Sequence, residues 1–265
     1  MVKEVADERA KKEKRKRRKK EKADATASMS VVDHLRELRD RLVWSIMAIG
    51  IGAVLCFIFF EPLIHLLVQP YRDATATPLL PNGKELIFTS PLEAFATRLK
   101  VSAYGGFVIA SPVVFFHLWR FITPGLNPKE KRYAIPFTVS SVILFIGGSL
   151  VAVVTFPKAL NFLLNVGGSD LSPLLSAGSY ITLVFLMILA FGISFEFPIV
   201  MMFLLLARVV TTRTLRKVRK YTFLGLVIFA AVITPSQDPI SLFAMSVPMY
   251  LLYEGTIIIG RILKR

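Results

Sequence analysis

ITLVFLMILAFGISFEFPIVMMFLLLA, residues 181–207, is apolar throughout except for one buried-depth carboxylate, Glu196, and one proline, Pro198, which a helix holds only by bending. About 20 apolar residues cross the hydrocarbon core of a bilayer, so this run spans it with room for tilt and a kink. Placing Glu196 near the centre costs roughly 2.5–3.5 kcal/mol on an insertion scale, and each surrounding Leu, Ile, Phe or Val returns roughly 0.3–0.6 kcal/mol. More than a dozen of those residues surround it, so the helix inserts with the carboxylate in it. An ionisable group at that depth marks a functional position by default.

The rest of the chain has the same character. Of 265 residues 54% are hydrophobic and the mean hydropathy is +0.59, which predicts an all-α polytopic membrane protein. The single cysteine, Cys56, excludes an intramolecular disulfide and carries no information about redox compartment. The net charge of +15 is spread over two parts. Residues 1–28 hold 12 Lys and Arg against 6 Asp and Glu with no periodic apolar face, and read as a disordered basic tail held at anionic lipid rather than on nucleic acid. The basic block is too long for the n-region of a cleavable signal peptide, and none is expected.

From Ser30 the pattern becomes helical. Ser30 and Asp33 have the form of a capping box, and Leu35, Leu38 and Leu42 recur on one face of an amphipathic helix over 29–42. His34, Glu37 and Arg41 fall on its other face, where Glu37 either pairs with Arg41 one turn on or serves a ligand. The first span follows at 43–60. Residues 61–89, with Pro78, Pro81, Asn82 and Gly83, read as an external loop. Ser90, Pro91 and Glu93 supply an N-cap, an N1 proline and an N3 glutamate for a helix that enters the second span, 101–121. Asn127, Pro128 and Glu130 repeat that arrangement before the third span, 136–156, so Glu130 is either a capping residue or a binding residue. Residues 158–179 read as a short polar loop before the fourth span.

After the basic segment 208–220, residues 221–233 are only 13 apolar positions, and a last apolar run covers 240–253. The turn between them contains Asp238, a candidate functional residue. Both helices read as short, either crossing a thinned bilayer or forming a re-entrant hairpin. Of the 33 Lys and Arg, 28 lie before the first span, between the second and third, between the fourth and fifth, and after the last. By the positive-inside rule both termini are cytoplasmic, and six crossings over residues 43–260 are expected, with 261–265 a basic end.

Several chemistries find no support. There is no Walker A sequence, His34, His65 and His117 have no second ligand at metal spacing, and no serine–histidine, paired-aspartate or H-E-x-x-H set lies at bilayer depth. Neither catalysis nor a metal or other cofactor is expected. Movement or recognition remains, with Glu37, Glu130, Glu196 and Asp238 the informative acids.

Five stretches in order resemble the TatC family, the receptor subunit of the twin-arginine protein translocase. They are HLRELRDRL (34–42), SPLEAF (90–95), PVVFFHLWRFITPGLNPKEKR (112–132), FGISFEFP (191–198), and TPSQDP (234–239) with PMYLLYE (248–254). The resemblance implies a glove-shaped six-helix bundle whose last two helices both cross, in a bacterial plasma membrane. It implies that Glu37 and Glu130, with Arg39 and Phe121, bind the paired arginines of a signal peptide on a folded precursor. It also implies that Glu196 meets a polar group on a single-span TatA- or TatB-type partner, in an oligomeric complex driven by the proton gradient. A hydrogen bond to a Ser or Thr on a neighbouring span is the other reading of Glu196. Carboxylates suit the first role because they take bidentate, charge-assisted bonds from arginine that lysine does not reproduce. A proton-coupled small-solute transporter using Glu196 as relay is the alternative function, though no internal repeat accompanies it.

Overall fold

The computed structural model describes residues 31–74, 86–122, 134–166 and 175–263. The basic tail, Ser30 of the capping box, the segment carrying Glu130 and the last two basic residues lie outside the described residues. Two compact units meet in sequence between Trp44 and Ser45. Helix α1, Val31–Ile58, carries residues of both, so the expected amphipathic segment and first span belong to one helix.

The helices that follow are α2 (Phe60–Ala74), α3 (Pro91–Ile122), α4 (Ala134–Val166), α5 (Ala177–Ser194), α6 (Phe197–Leu206), α7 (Thr212–Lys217), α8 (Arg219–Ile233) and α9 (Pro239–Ile262). Among the described residues five segments are long and apolar enough to cross a membrane: Val32–Ile58, Pro91–Ile122, Ala134–Val166, Ala177–Leu206 and Pro239–Ile262. Helix α8 has 15 residues, about 22 Å of helix, and is short as its apolar run predicts.

Three expectations are corrected. Residues 61–89 are not loop throughout, because α2 occupies 60–74. Its apolar positions Phe60, Leu63, Ile64, Leu67 and Val68 pack on the main core, and Tyr71 is fully buried with its ring edge-on to Tyr180 at 5.5 Å. The third span does not stop at Phe156. Helix α4 continues through Pro157 to Val166, and burial of Ala159 and Leu160 offsets the hydrogen bond that the proline lacks. The last helix is not short: α9 has 24 residues and passes through Glu254, whose charge is answered by Arg219 at 2.6 Å.

The core lies where α4 and α5 cross. A Cβ on Gly148 of α4 would sit 2.6 Å from the Phe191 carbonyl oxygen of α5, and a Cβ on Gly192 would sit 2.6 Å from the Phe145 ring. Both contacts are closer than side chains permit, so these two glycines set the separation of the two backbones. Small residues at such crossings are how helices approach in lipid, where no hydrophobic force draws them together. The segments leading into α3 and α5 are joined: Ala177 N–H donates to the Ile87 carbonyl at 2.8 Å, and Ile87 N–H donates to that of Leu175 at 3.3 Å.

Candidate functional site

The fourth span is interrupted where its carboxylate lies. Pro198 has no N–H to give and crowds the carbonyl four residues earlier, so the expected kink becomes a break between α5 and α6. Phe195 and Glu196 form the turn. Glu196 N–H donates to the Ile193 carbonyl at 3.0 Å in a tight, three-residue step, and Ile199 and Val200 restart the ladder from the Glu196 carbonyl at 3.0 and 3.1 Å. Glu196 makes no side-chain cap for α6, which leaves its carboxyl half-buried and pointing out of the helix.

Two neighbouring helices supply its surroundings. Trp119 of α3 donates its Nε1–H to Ser141 Oγ of α4 at 2.7 Å, and both residues are buried. Indole is a donor only, so Ser141 must accept there, which leaves its own hydroxyl proton for the neighbouring Glu196 side chain. Any chain of hydrogen bonds here runs from Trp119 through Ser141 to Glu196. Trp119 is held in place by stacking on Phe137 at 4.7 Å and by Phe203 at 5.8 Å. Glu196 Oε1 is buried and has no hydrogen-bond partner among the described residues. A carboxylate accepts up to about four hydrogen bonds, and this one is under-used in a medium where water does not make up the difference.

Asp238 is different. It is 1% exposed and caps α9: Oδ1 accepts from Ser241 N–H at 2.7 Å and Oδ2 accepts from Ser236 Oγ at 2.5 Å. The turn before it is tight, with Gln237 at φ 47. Both oxygens are committed to the turn.

On α1, Glu37 is ion-paired with Arg41 one turn on, and both side chains are largely shielded from solvent. Glu37 Oε2 is buried without a hydrogen-bond partner among the described residues, so the pair uses only one of its oxygens. Arg39 is exposed and bonds to its neighbour Asp40 at 2.9 Å. Phe121 is half-buried in the last turn of α3. Glu130 lies outside the described residues.

Three features were not singled out from the sequence. Trp119 and Ser141 stood in quoted or apolar stretches, and a polar side chain within a span was the available signal. Glu254 accepts from Arg219 at 2.6 Å and from Tyr250 OH at 3.2 Å, while Tyr253 OH donates to the Leu215 carbonyl at 2.7 Å. The opposite charges of Arg219 and Glu254 were visible, but not their proximity. Glu93, recognised as a cap, also reaches across to α5, accepting from Gly178 N–H at 3.0 Å.

Known proteins agree with this arrangement. Residues 33–248 match the family model of the Sec-independent protein translocase protein (TatC). The Sec-independent protein translocase protein TatC of Frankia casuarinae is 41% identical over 238 residues, 88% of this chain and 65% of that protein, so this chain spans about two thirds of its length. The TatC protein of Aquifex aeolicus is 39% identical over 240 residues, 89% of this chain and 97% of the relative. A crystal structure of the twin arginine translocase receptor TatC in DDM superposes with a TM-score of 0.70 at 40% identity, covering 86% of this chain and 99% of that one. The resemblance seen in the five motifs extends over the whole apolar chain. With that extent and these identities, the chain belongs to the TatC family of Sec-independent protein translocase proteins, multi-pass proteins of the bacterial membrane that work in protein transport.

Proposed function

We propose that this protein is the receptor and assembly platform of a twin-arginine translocase: it binds the paired arginines of signal peptides on folded precursors and gathers single-span TatA- and TatB-type subunits for export driven by the proton gradient. The observation that carries the reading is the similarity to the twin arginine translocase receptor at 40% identity over most of both chains. The cytoplasmic charge excess supports six crossings with both termini in the cytoplasm, Glu37 and Glu130 both on that side. No enzyme chemistry is part of the reading.

Glu37 is suited to the peptide because one of its oxygens is uncommitted. An incoming guanidinium takes Oε2 without displacing Arg41 from Oε1, and Glu130, Arg39 and Phe121 are the other residues assigned to the same peptide. Neighbouring cations exclude peptides that bring charge without the right geometry. Glu196 serves the membrane partner, offering Oε1 to a donor on the single-span helix, while Asp238 holds the outer turn in shape.

Binding of the full-length detergent-purified protein to an Arg-Arg signal peptide, against the same peptide with Lys-Lys, tests the receptor reading. We expect a preference for arginine that survives raised salt, since geometry and not bulk charge carries it. Glu37→Ala and Glu130→Ala remove the preference while the protein still inserts. Equal, salt-sensitive binding of both peptides overturns the assignment. Solute movement down a pH gradient by the purified protein alone in liposomes, stopped by Glu196→Gln, would replace it with the transporter.

A further inference from the structure

A second site, away from Glu196, lies at the N-terminal ends of α3 and α5. A cavity of about 660 Å³ opens there between the two helices and the turn at Pro235. Its polar lining includes Glu93, Lys100, Ser176 and Ser179, and its apolar lining includes Leu183 and Leu186, one and two turns down α5 from Ser179. Polar and apolar lining side by side suit an amphiphile.

The charges decide which head fits. Both Glu93 oxygens are spent: Oε2 accepts from Thr89 N–H at 2.7 Å and Thr89 Oγ1 at 2.5 Å, and Oε1 accepts from Gly178 N–H at 3.0 Å. Lys100 is exposed and forms no ion pair among the described residues. Its Nζ donates to Thr182 Oγ1 at 3.0 Å, while the Thr182 hydroxyl gives its own proton to the Gly178 carbonyl at 2.7 Å. Toward Lys100 Thr182 is thus only an acceptor, which points the ammonium along the wall and leaves two of its three N–H donors for a ligand. An oriented cation beside hydroxyls, with a carboxylate already satisfied, calls for an anion with several acceptor oxygens. The apolar wall calls for that anion to carry a hydrocarbon chain.

We propose that this cavity binds a glycerophospholipid of the leaflet facing away from the cytoplasm, its phosphate on Lys100 and an acyl chain against Leu183 and Leu186. Leaflet assignment follows from the charge asymmetry, since Lys100 is one of only five cations outside the cytoplasmic segments. The bound lipid ties α3 to α5.

Native mass spectrometry of the full-length protein in detergent micelles tests this. The protein is titrated with dioleoyl-phosphatidylglycerol, with dioleoylglycerol, which has the chains without the phosphate, and with inorganic phosphate as competitor. We expect phosphatidylglycerol to be retained roughly tenfold better than dioleoylglycerol, the scale of one charge-assisted bond. Lys100→Gln removes that preference. Thr182→Val, which keeps the shape but loses the acceptor that orients Lys100, weakens it. Lys158→Gln, a cation on the same side but outside the cavity, leaves it intact, and Lys100→Arg retains it. Unchanged retention in both Lys100→Gln and Thr182→Val overturns the site. So does equal retention of dioleoylglycerol. Complete displacement by millimolar inorganic phosphate would show a plain anion site and overturn the lipid.

Discussion

Glu93 and Glu196 are both glutamates at helix ends beside a proline, and the fold treats them in opposite ways. Glu93 accepts three hydrogen bonds, two from Thr89 and one from Gly178 on another helix, and works as a strut between α3 and α5. Glu196 has the Ser141 hydroxyl beside it and keeps a buried oxygen without a partner among the described residues. A carboxylate with both oxygens engaged has little left for a partner, and one with a buried, unengaged oxygen in a dry environment has a standing cost that a partner relieves. Residual hydrogen-bonding capacity, and not depth or sequence position, separates the two roles. Asp238 falls with Glu93, and Glu37, with one oxygen on Arg41 and one unused, falls with Glu196.

The most direct way to break the comparison is to remove one acid from each class. In Glu196→Gln the unspent acceptor is weakened, and we expect co-purification of the single-span partner to fall on the order of tenfold, the worth of a hydrogen bond to a charged group, with thermal unfolding unchanged. A variant that unfolds early but still captures its partner would place Glu196 with the struts. Glycine packing comes next in size. Gly148→Ala puts a methyl 2.6 Å from the Phe191 carbonyl, which must move, and a loss of about 1–3 kcal/mol is expected in detergent unfolding, with the α5–α6 break displaced from Ser141.

Glu93→Gln gives the reverse of Glu196→Gln. The unfolding temperature falls because the Thr89 and Gly178 donors lose their charged acceptor, whereas partner capture per folded molecule stays at the level of the parent. The smallest effect sharpens the Glu196 side. Ser141→Ala removes the relay from Trp119 and costs about 1 kcal/mol, and Ser141→Thr keeps the hydroxyl and recovers it. In a Trp44→Phe background the remaining indole is Trp119, so its emission shifts in Ser141→Ala and returns in Ser141→Thr. No shift in either variant would disconnect Trp119 from the carboxylate.

Much of the fold was legible. The spans announced themselves through local apolar content, and the cap at Ser90 through residue type, whereas Asp238, read as a functional candidate, is a cap in the structure. Helix α2 was also written in the chain, as Phe60, Leu63, Ile64, Leu67, Val68 and Tyr71 at helical spacing, but Pro62, Pro70 and the interleaved polar residues obscured it. The ends of α4 and α9 were misread for one shared reason. Pro157 and Glu254 are local stop signals, and what overrides them comes from elsewhere, namely the burial of Ala159 and Leu160 in one case and Arg219 in the other.

The sequence alone determined that this chain is a bundle of membrane-spanning helices with a carboxylate inside one of them, because transfer into a bilayer is a sum over neighbouring residues and needs no knowledge of the fold. It also determined the family, through motifs read in order. Only the tertiary structure decided which carboxylates are satisfied. Hydrogen bonds are directional and close at about 3 Å, and the partners come from distant parts of the chain. Gly178 lies 85 positions from Glu93 and Arg219 lies 35 from Glu254. The strut made by Glu93 and the unengaged oxygen of Glu196 follow from that geometry.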